Sequence, residues 1–235
     1  MAPVMGGETL IPEKNSKRRD SVPSFFIDRC EVTVREYQEF MAQHAALACF
    51  KDAARLWPDE KAFERFGRPE TIVPPYFAEV KDIRPDWPVE DVNYHQALAC
   101  LRFRGKDLPT LAEWFLAARG AVVGDRHPFE EPSLEIHRNP ERPSPVSQSG
   151  EARGFPPRFS VHHLAGNVAE WCKVQDQEAK RAQLLGGRYL DTDPRYFIGE
   201  RRDSLPLGAS GRGYGFRGVV RPREVFADLI PKGLD

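Results

Sequence analysis

Apolar residues recur along this chain in two registers, and each register predicts a different kind of element. From 23 to 41, PSFFIDRCEVTVREYQEFM opens on a β-prone run, Phe25 to Ile27, and then turns helical. Thr33 with Glu36 three residues on has the pattern of a capping box, after which Tyr37, Phe40 and Met41 share one face. A strand therefore feeds a helix. At 93 to 104, NYHQALACLRFR places Ala97, Cys100, Leu101 and Arg104 at helical spacing behind Asn93 as a cap. The stretch 109 to 120, PTLAEWFLAARG, repeats the design: Thr110 caps, Glu113 closes a box, Trp114, Ala117 and Ala118 face inward, and Gly120 stops the helix. Between 44 and 86 a short helical pattern is broken by IVPPYF and IRPDWP, whose prolines exclude long regular elements. The second half offers only short strands, at 184 to 190, 196 to 198 and 214 to 220. Long stretches rich in Pro, Ser, Arg and Gly run over 121 to 160 and 190 to 213, and loops of that length in one domain are usually functional. With no internal repeat and no break in composition, the pattern predicts one irregular α+β domain over 1–235, with two main helices, short antiparallel strands and many loops.

Composition narrows the partners. The 40% of apolar residues supply a sizeable core, and 34 Lys+Arg against 35 Asp+Glu leave no bulk field to favour nucleic acid. No apolar run approaches the ~20 residues of a membrane span, and the first residues lack the apolar core of a secretory signal. The expectation is a soluble, cytoplasmic chain with no nucleic-acid and no membrane partner. Cys30, Cys49, Cys100 and Cys172 are scattered without a CxxC pair or zinc spacing, which reads as buried thiols in a reducing compartment.

Catalytic templates are missing. There is no HExxH, GxSxG or P-loop, and GASGRGYG at 208 to 215 precedes a strand rather than the helix N-terminus a phosphate needs. His162 and His163 point to opposite faces of an extended segment, so they cannot readily share one ion. Asp191 and Asp193, between Gly187 and Pro194, read as turn residues that satisfy local backbone donors. In AGNVAEWC, 165 to 172, Asn167 and Glu170 offer the hard oxygens that calcium prefers; alternatively, Asn167 only shapes a turn and Glu170 pairs with an arginine.

Taken in order, VMGGETLI, FFIDRCEVTVREYQEF, WPVEDVNYHQALACLRFRGKDLPTLAEWFLAARG, HLAGNVAEW, LLGGRY and GYGFRG resemble the successive signatures of the formylglycine-generating enzyme, or sulfatase-modifying factor, family. The resemblance runs from about residue 4 to 221 and implies a C-type-lectin-like fold with much irregular backbone. It makes Gly105, Leu108, Pro109, Glu113, Trp114 and Arg217 scaffold residues. It assigns one structural calcium to the loop of Gly166, Asn167, Val168 and Glu170, while Pro157 and His163 stand where a second calcium site would need other ligands. Members that oxidise a substrate cysteine carry two cysteines after LLGGRY, which bind copper(I); here the segment reads LDTDPRYFIGERRDS, and no copper is expected. The implied function is a non-catalytic protein- or ligand-binding module, with a protein or peptide as the expected partner and a larger signalling or defence assembly as its setting. Its face would be built by Arg188, Tyr189, Asp191, Arg195, Tyr196, Phe197, Arg201, Arg202 and Tyr214, residue types that dominate interface hot spots. The alternative is a divergent metal-dependent oxidase or oxygenase of the same family, which needs His127, His162 or His163 to converge with carboxylates.

Overall fold

Caps decide where the helices begin, and glycines decide where the strands stop. The computed structural model describes residues 1–13, 16–48, 53–68, 71–79, 81–120, 143–146, 161–174, 180–197 and 199–222. Strands β1 (Ala2–Val4), β2 (Gly7–Pro12), β3 (Lys17–Val22) and β4 (Phe25–Ile27) come first. They are followed by α1 (Val34–Ala48), a 3-10 turn (Ala53–Leu56), α2 (Glu60–Phe66), α3 (Tyr76–Glu79), α4 (Tyr94–Phe103) and α5 (Leu111–Arg119). The last third holds β5 (Ala169–Trp171), β6 (Arg181–Leu185), the one-turn helix α6 (Pro194–Phe197), β7 (Asp203–Pro206), β8 (Tyr214–Gly215) and β9 (Val219–Val220).

The capping boxes form as the spacing predicts. The Thr33 hydroxyl accepts from Glu36 N at 3.2 Å and Glu36 Oε2 accepts from Thr33 N at 3.0 Å, and the Thr110–Glu113 pair does the same at 3.2 and 2.7 Å. Asn93 is a cap that also closes a box, with Gln96. Beside α4 and α5, the helix expected after Thr33 forms as α1 and runs for 15 residues, the longest among the described helices. Of the inward positions expected on the later helices, Ala118 stays half-exposed and Arg104 is the C-cap of α4.

Strands group as β1-β4-β9, as the hairpin β2-β3, and as β7-β6-β5-β8. Pairing is antiparallel except between β5 and β8, which run parallel. Because β4 pairs with both β1 and β9, the first and last described strands lie in one sheet: Phe26 lies opposite Val220. Alternation along β5 and β6 divides the apolar interior. Trp171 and Leu184 point to a cluster with Tyr37, Phe40 and Phe216, whereas Leu185 and the neighbouring Cys172 point to one with Trp114, Phe115 and Ile27. No described helix is long and apolar enough to cross a membrane.

Three strand expectations are corrected. The run from 184 ends at Leu185, since Gly186 and Gly187 take φ of +88° and +73°, and a Cβ on Gly187 would lie 2.7 Å from the Phe197 ring. The segment after Pro194 is a helical turn, held by Asp193, whose carbonyl accepts from Tyr196 N and whose carboxylate accepts from Arg195 N. The run 214 to 220 is split in two, because Phe216 and Gly218 give their carbonyls to Val32 N and Asp28 N instead of to a strand partner.

The boxes generate a direct expectation. Thr110→Ala removes the acceptor for Glu113 N, while Arg221 still holds the Glu113 carboxylate. The urea midpoint falls by the equivalent of about 1 kcal/mol at unchanged m-value; an unchanged midpoint means the box does not stabilise α5.

Candidate functional site

The Gly166-Asn167 pair makes a tight left-handed turn, φ +88° and +62°, which Gly and Asn tolerate best. The turn is tied to the segment after β6, with Gly166 N donating to Gly186 O at 2.7 Å and Tyr189 N to Asn167 O at 2.8 Å. Beyond it, β5 carries Glu170 into the interior. Arg217 Nε donates to both Glu170 oxygens at 2.8 and 2.9 Å, its Nη2 donates to Oε1 at 2.6 Å, and Trp114 Nε1 donates to Oε2 at 2.9 Å. The remaining guanidinium protons go to the carbonyls of Asp28, Arg29 and His162. Asn167 accepts from Ser144 N at 2.8 Å and donates to Glu31 Oε1 at 2.9 Å. Glu31 Oε2 has no hydrogen-bond partner and lies 3.9 Å from Arg217. Burial pushes the Glu31 carboxyl up to about 7, against the pull of Arg217, and burial raises Glu170 as well.

These contacts bear on calcium. A calcium ion needs carboxylate and amide oxygens free to converge. Glu170 has both of its oxygens on a guanidinium and an indole, and the Asn167 oxygen is on a backbone N–H. Of the expected loop, Gly166 and Val168 could offer only backbone carbonyls, and the side-chain oxygens of Asn167 and Glu170 do not fit a calcium site in this arrangement; the arginine-paired reading of Glu170 is the one the geometry takes. Among the described residues there is no group of three or more His, Cys, Asp or Glu that could hold a metal. His162 and His163 are half-buried, and His127 lies outside the described residues. Nor does the segment after Gly187 suit copper(I), since it presents carboxylates engaged by arginines where a thiolate pair is required.

The late loops are built from those arginine–carboxylate pairs. Asp191 accepts from Arg188 N at 2.7 Å and from Arg188 Nη2 at 2.7 Å, and the Arg188 guanidinium lies 5.4 Å over the Tyr214 ring. Asp193 takes Arg195 at 2.7 Å and Arg201 at 2.9 Å, and Arg201 stacks on Tyr196 at 5.0 Å. The Asp193 carboxyl is held well below the usual range by these hydrogen bonds. Each aspartate thus has its own arginine partners, one for Asp191 and two for Asp193.

Nine residues were expected on the binding face, and burial divides them. Tyr189 and Phe197 are 1% and 3% exposed, and Asp191 is buried under Arg188, so these three are packed inside the loop and lie beneath its exposed face. Arg202 turns inward to Pro12 O and the Phe115 ring. Arg195 and Arg201 are well exposed, and Arg188, Tyr196 and Tyr214 are partly so. Sequence reading missed Arg212, exposed beside this face, and the buried Glu90 beneath it, which accepts from Gly213 N at 2.6 Å and Tyr189 Oη at 3.2 Å. An acidic residue inside the apolar run WPVEDV was the available signal.

The family profile described as Sulfatase-modifying factor enzyme 1-like domain matches residues 1–222. The chain belongs to this family. It is 30% identical over 166 residues to the formylglycine-generating enzyme of Streptomyces coelicolor, covering 57% of this chain and 52% of that one. It is also 30% identical over 158 residues to the inactive C-alpha-formylglycine-generating enzyme 2 of Bos taurus, covering 58% and 52%. The chain thus spans about half the length of these curated relatives. Among solved structures, PvdO from Pseudomonas aeruginosa superposes with a TM-score of 0.60 at 18% identity over 92% of both chains, which fixes the irregular α+β fold.

Two measurements check this site. Arg217→Met leaves Glu170 buried without its cation and lowers stability by about 3–5 kcal/mol in urea unfolding, and adding Glu170→Gln recovers part of the loss. A single-variant cost below about 1 kcal/mol would contradict the pair's structural role. Calcium in excess over a chelator leaves the melting temperature unchanged. A folded-state calcium site at a hundredfold excess over Kd would contribute about 2.7 kcal/mol, which raises the melting temperature of a chain this size by more than about 5 °C.

Proposed function

We propose that this chain is a non-catalytic module that binds a protein or peptide partner through the face built by its late loops. The observation that carries the reading is the arrangement of Asp193, Arg195, Tyr196 and Arg201. The side chains of Arg195 and Arg201 are 61% and 52% exposed, and both share one carboxylate. Exposed ion pairs of this kind hold weakly in water, so either guanidinium can turn to a partner's carboxylate or carbonyl with little loss. Arginine and tyrosine also lose little freedom on binding when stacking already orders them, as Arg201 is ordered over Tyr196. Around them the segment that carries a cysteine pair in the cysteine-oxidising members offers no soft ligand, and one of the relatives above bears the word inactive in its name.

Affinity capture from the native source tests the reading. The double variant Arg195→Ala/Arg201→Ala, which touches no buried group, loses the captured partner by about tenfold or more in affinity while its melting curve stays that of the parent. Retention of the partner at parental affinity removes this face from the interaction. Metal-dependent oxygen uptake by the purified chain with a thiol or amine substrate overturns the non-catalytic reading itself.

A further inference from the structure

Under the late loops lies a charged cluster that the exposed arginine face does not use. Glu90 is fully buried in the segment leading into α4. One of its oxygens, Oε2, accepts from Gly213 N at 2.6 Å, Tyr189 Oη at 3.2 Å and Arg212 Nε at 3.4 Å. The other, Oε1, has no partner, and neither has the hydroxyl of Tyr76, which is 1% exposed. Both residues lie by the same guanidinium: Arg212 sits 5.7 Å over the Tyr76 ring, reaches Glu90 Oε2 and gives its Nη2 proton to Tyr189 Oη at 2.8 Å. Buried polar atoms left without partners are rare in folded proteins, and two in one cluster ask for a ligand.

Charge and donor count say which ligand. Glu90 and the buried Asp91, which accepts from Tyr76 N at 3.1 Å, set two carboxylates against one guanidinium. That guanidinium is 42% exposed and its contact to Glu90 is long, so the cluster has negative charge to spare. An anion is repelled there, and a hydroxyl satisfies the oxygens without offsetting the charge. With Arg212 swung out, Glu90 Oε1, Tyr76 Oη and Tyr189 Oη present three acceptors, which matches the three N–H donors of an ammonium better than the five of a guanidinium. The flanking tyrosine rings suit the methylenes that precede such a head group.

We propose that Glu90, Tyr76 and Tyr189 form a subsite for a primary alkylammonium, the end of a lysine side chain on the partner, and that Arg212 covers this subsite and leaves when it fills. The proposal rests on the reading that the late-loop face binds a protein.

Calorimetric titration of the full chain with n-butylammonium tests it, with tetramethylammonium, which has no N–H, as control. n-Butylammonium binds saturably and tetramethylammonium does not. Tyr76→Phe removes a hydroxyl that no other group uses, so the fold is kept, and n-butylammonium binds about tenfold more weakly. Arg212→Ala removes the competing cation and binds it several-fold more tightly, which a purely structural arginine would not do. N-acetyl-lysine amide binds at least as well as n-butylammonium; its exclusion overturns the assignment to a protein side chain. The absence of saturation in both the parent and Arg212→Ala, or equal affinity in Tyr76→Phe, overturns the subsite. If the subsite fails while Arg195→Ala/Arg201→Ala still loses its partner, the binding face stands alone.

Discussion

One buried guanidinium organises this molecule. Arg217, between β8 and β9, holds Glu170 on β5, which in turn holds Trp114 on α5, and the same arginine takes the carbonyls of Asp28, Arg29 and His162. Five separate stretches of chain thus meet at one ion pair. Such a pair contributes little net stability, because desolvating two charges offsets most of their attraction. Its value lies in the alternatives it forbids. A chain with so much irregular backbone has many compact arrangements that bury its apolar residues, and any of them that separates Arg217 from Glu170 leaves a bare charge in a dry interior.

The same logic recurs at lower strength nearer the surface. Where the backbone lacks long ladders, arginine–carboxylate pairs take over the work of fixing loops: Arg188 with Asp191, Arg195 and Arg201 with Asp193, Arg221 with Glu113. These differ in burial, and burial sets their role. Asp191 is inside and its pair fixes a turn, whereas Asp193 carries two arginines that reach water and are free to exchange partners.

The helices were legible because their determinants are local. Thr33, Thr110 and Asn93 each cap a helix using a partner three residues away, so a window of a few residues contains the whole interaction. The later strands were not, since their ends depend on distant groups: Gly187 stops a strand because Phe197 fills the space its Cβ would need. Glu170 shows the limit most clearly. Its spacing from Asn167 suits calcium and suits a turn equally, and the choice between them is made by Arg217, 47 residues further on. Likewise nothing within reach of Glu90 in sequence announces Arg212, 122 residues away.

These long-range pairs are also connected to one another, and Gly213 is the connection. Its carbonyl accepts from Ala169 N at 2.8 Å, one residue from Glu170, while its own N–H donates to Glu90 at 2.6 Å. Its φ is +78°, and a Cβ there would meet the Arg188 side chain at 2.9 Å. Only glycine takes that conformation without strain and leaves room for the arginine. The position of the buried ion pair on β5 therefore fixes Gly213, Gly213 fixes both Arg212 beside it and the Glu90 carboxylate below it, and Arg188 packs over the same residue to hold Asp191. A side chain at 213 disturbs the interior knot, the buried acidic cluster and the late-loop face together, so the geometry of the exposed late loops is set by a charge pair buried in the interior.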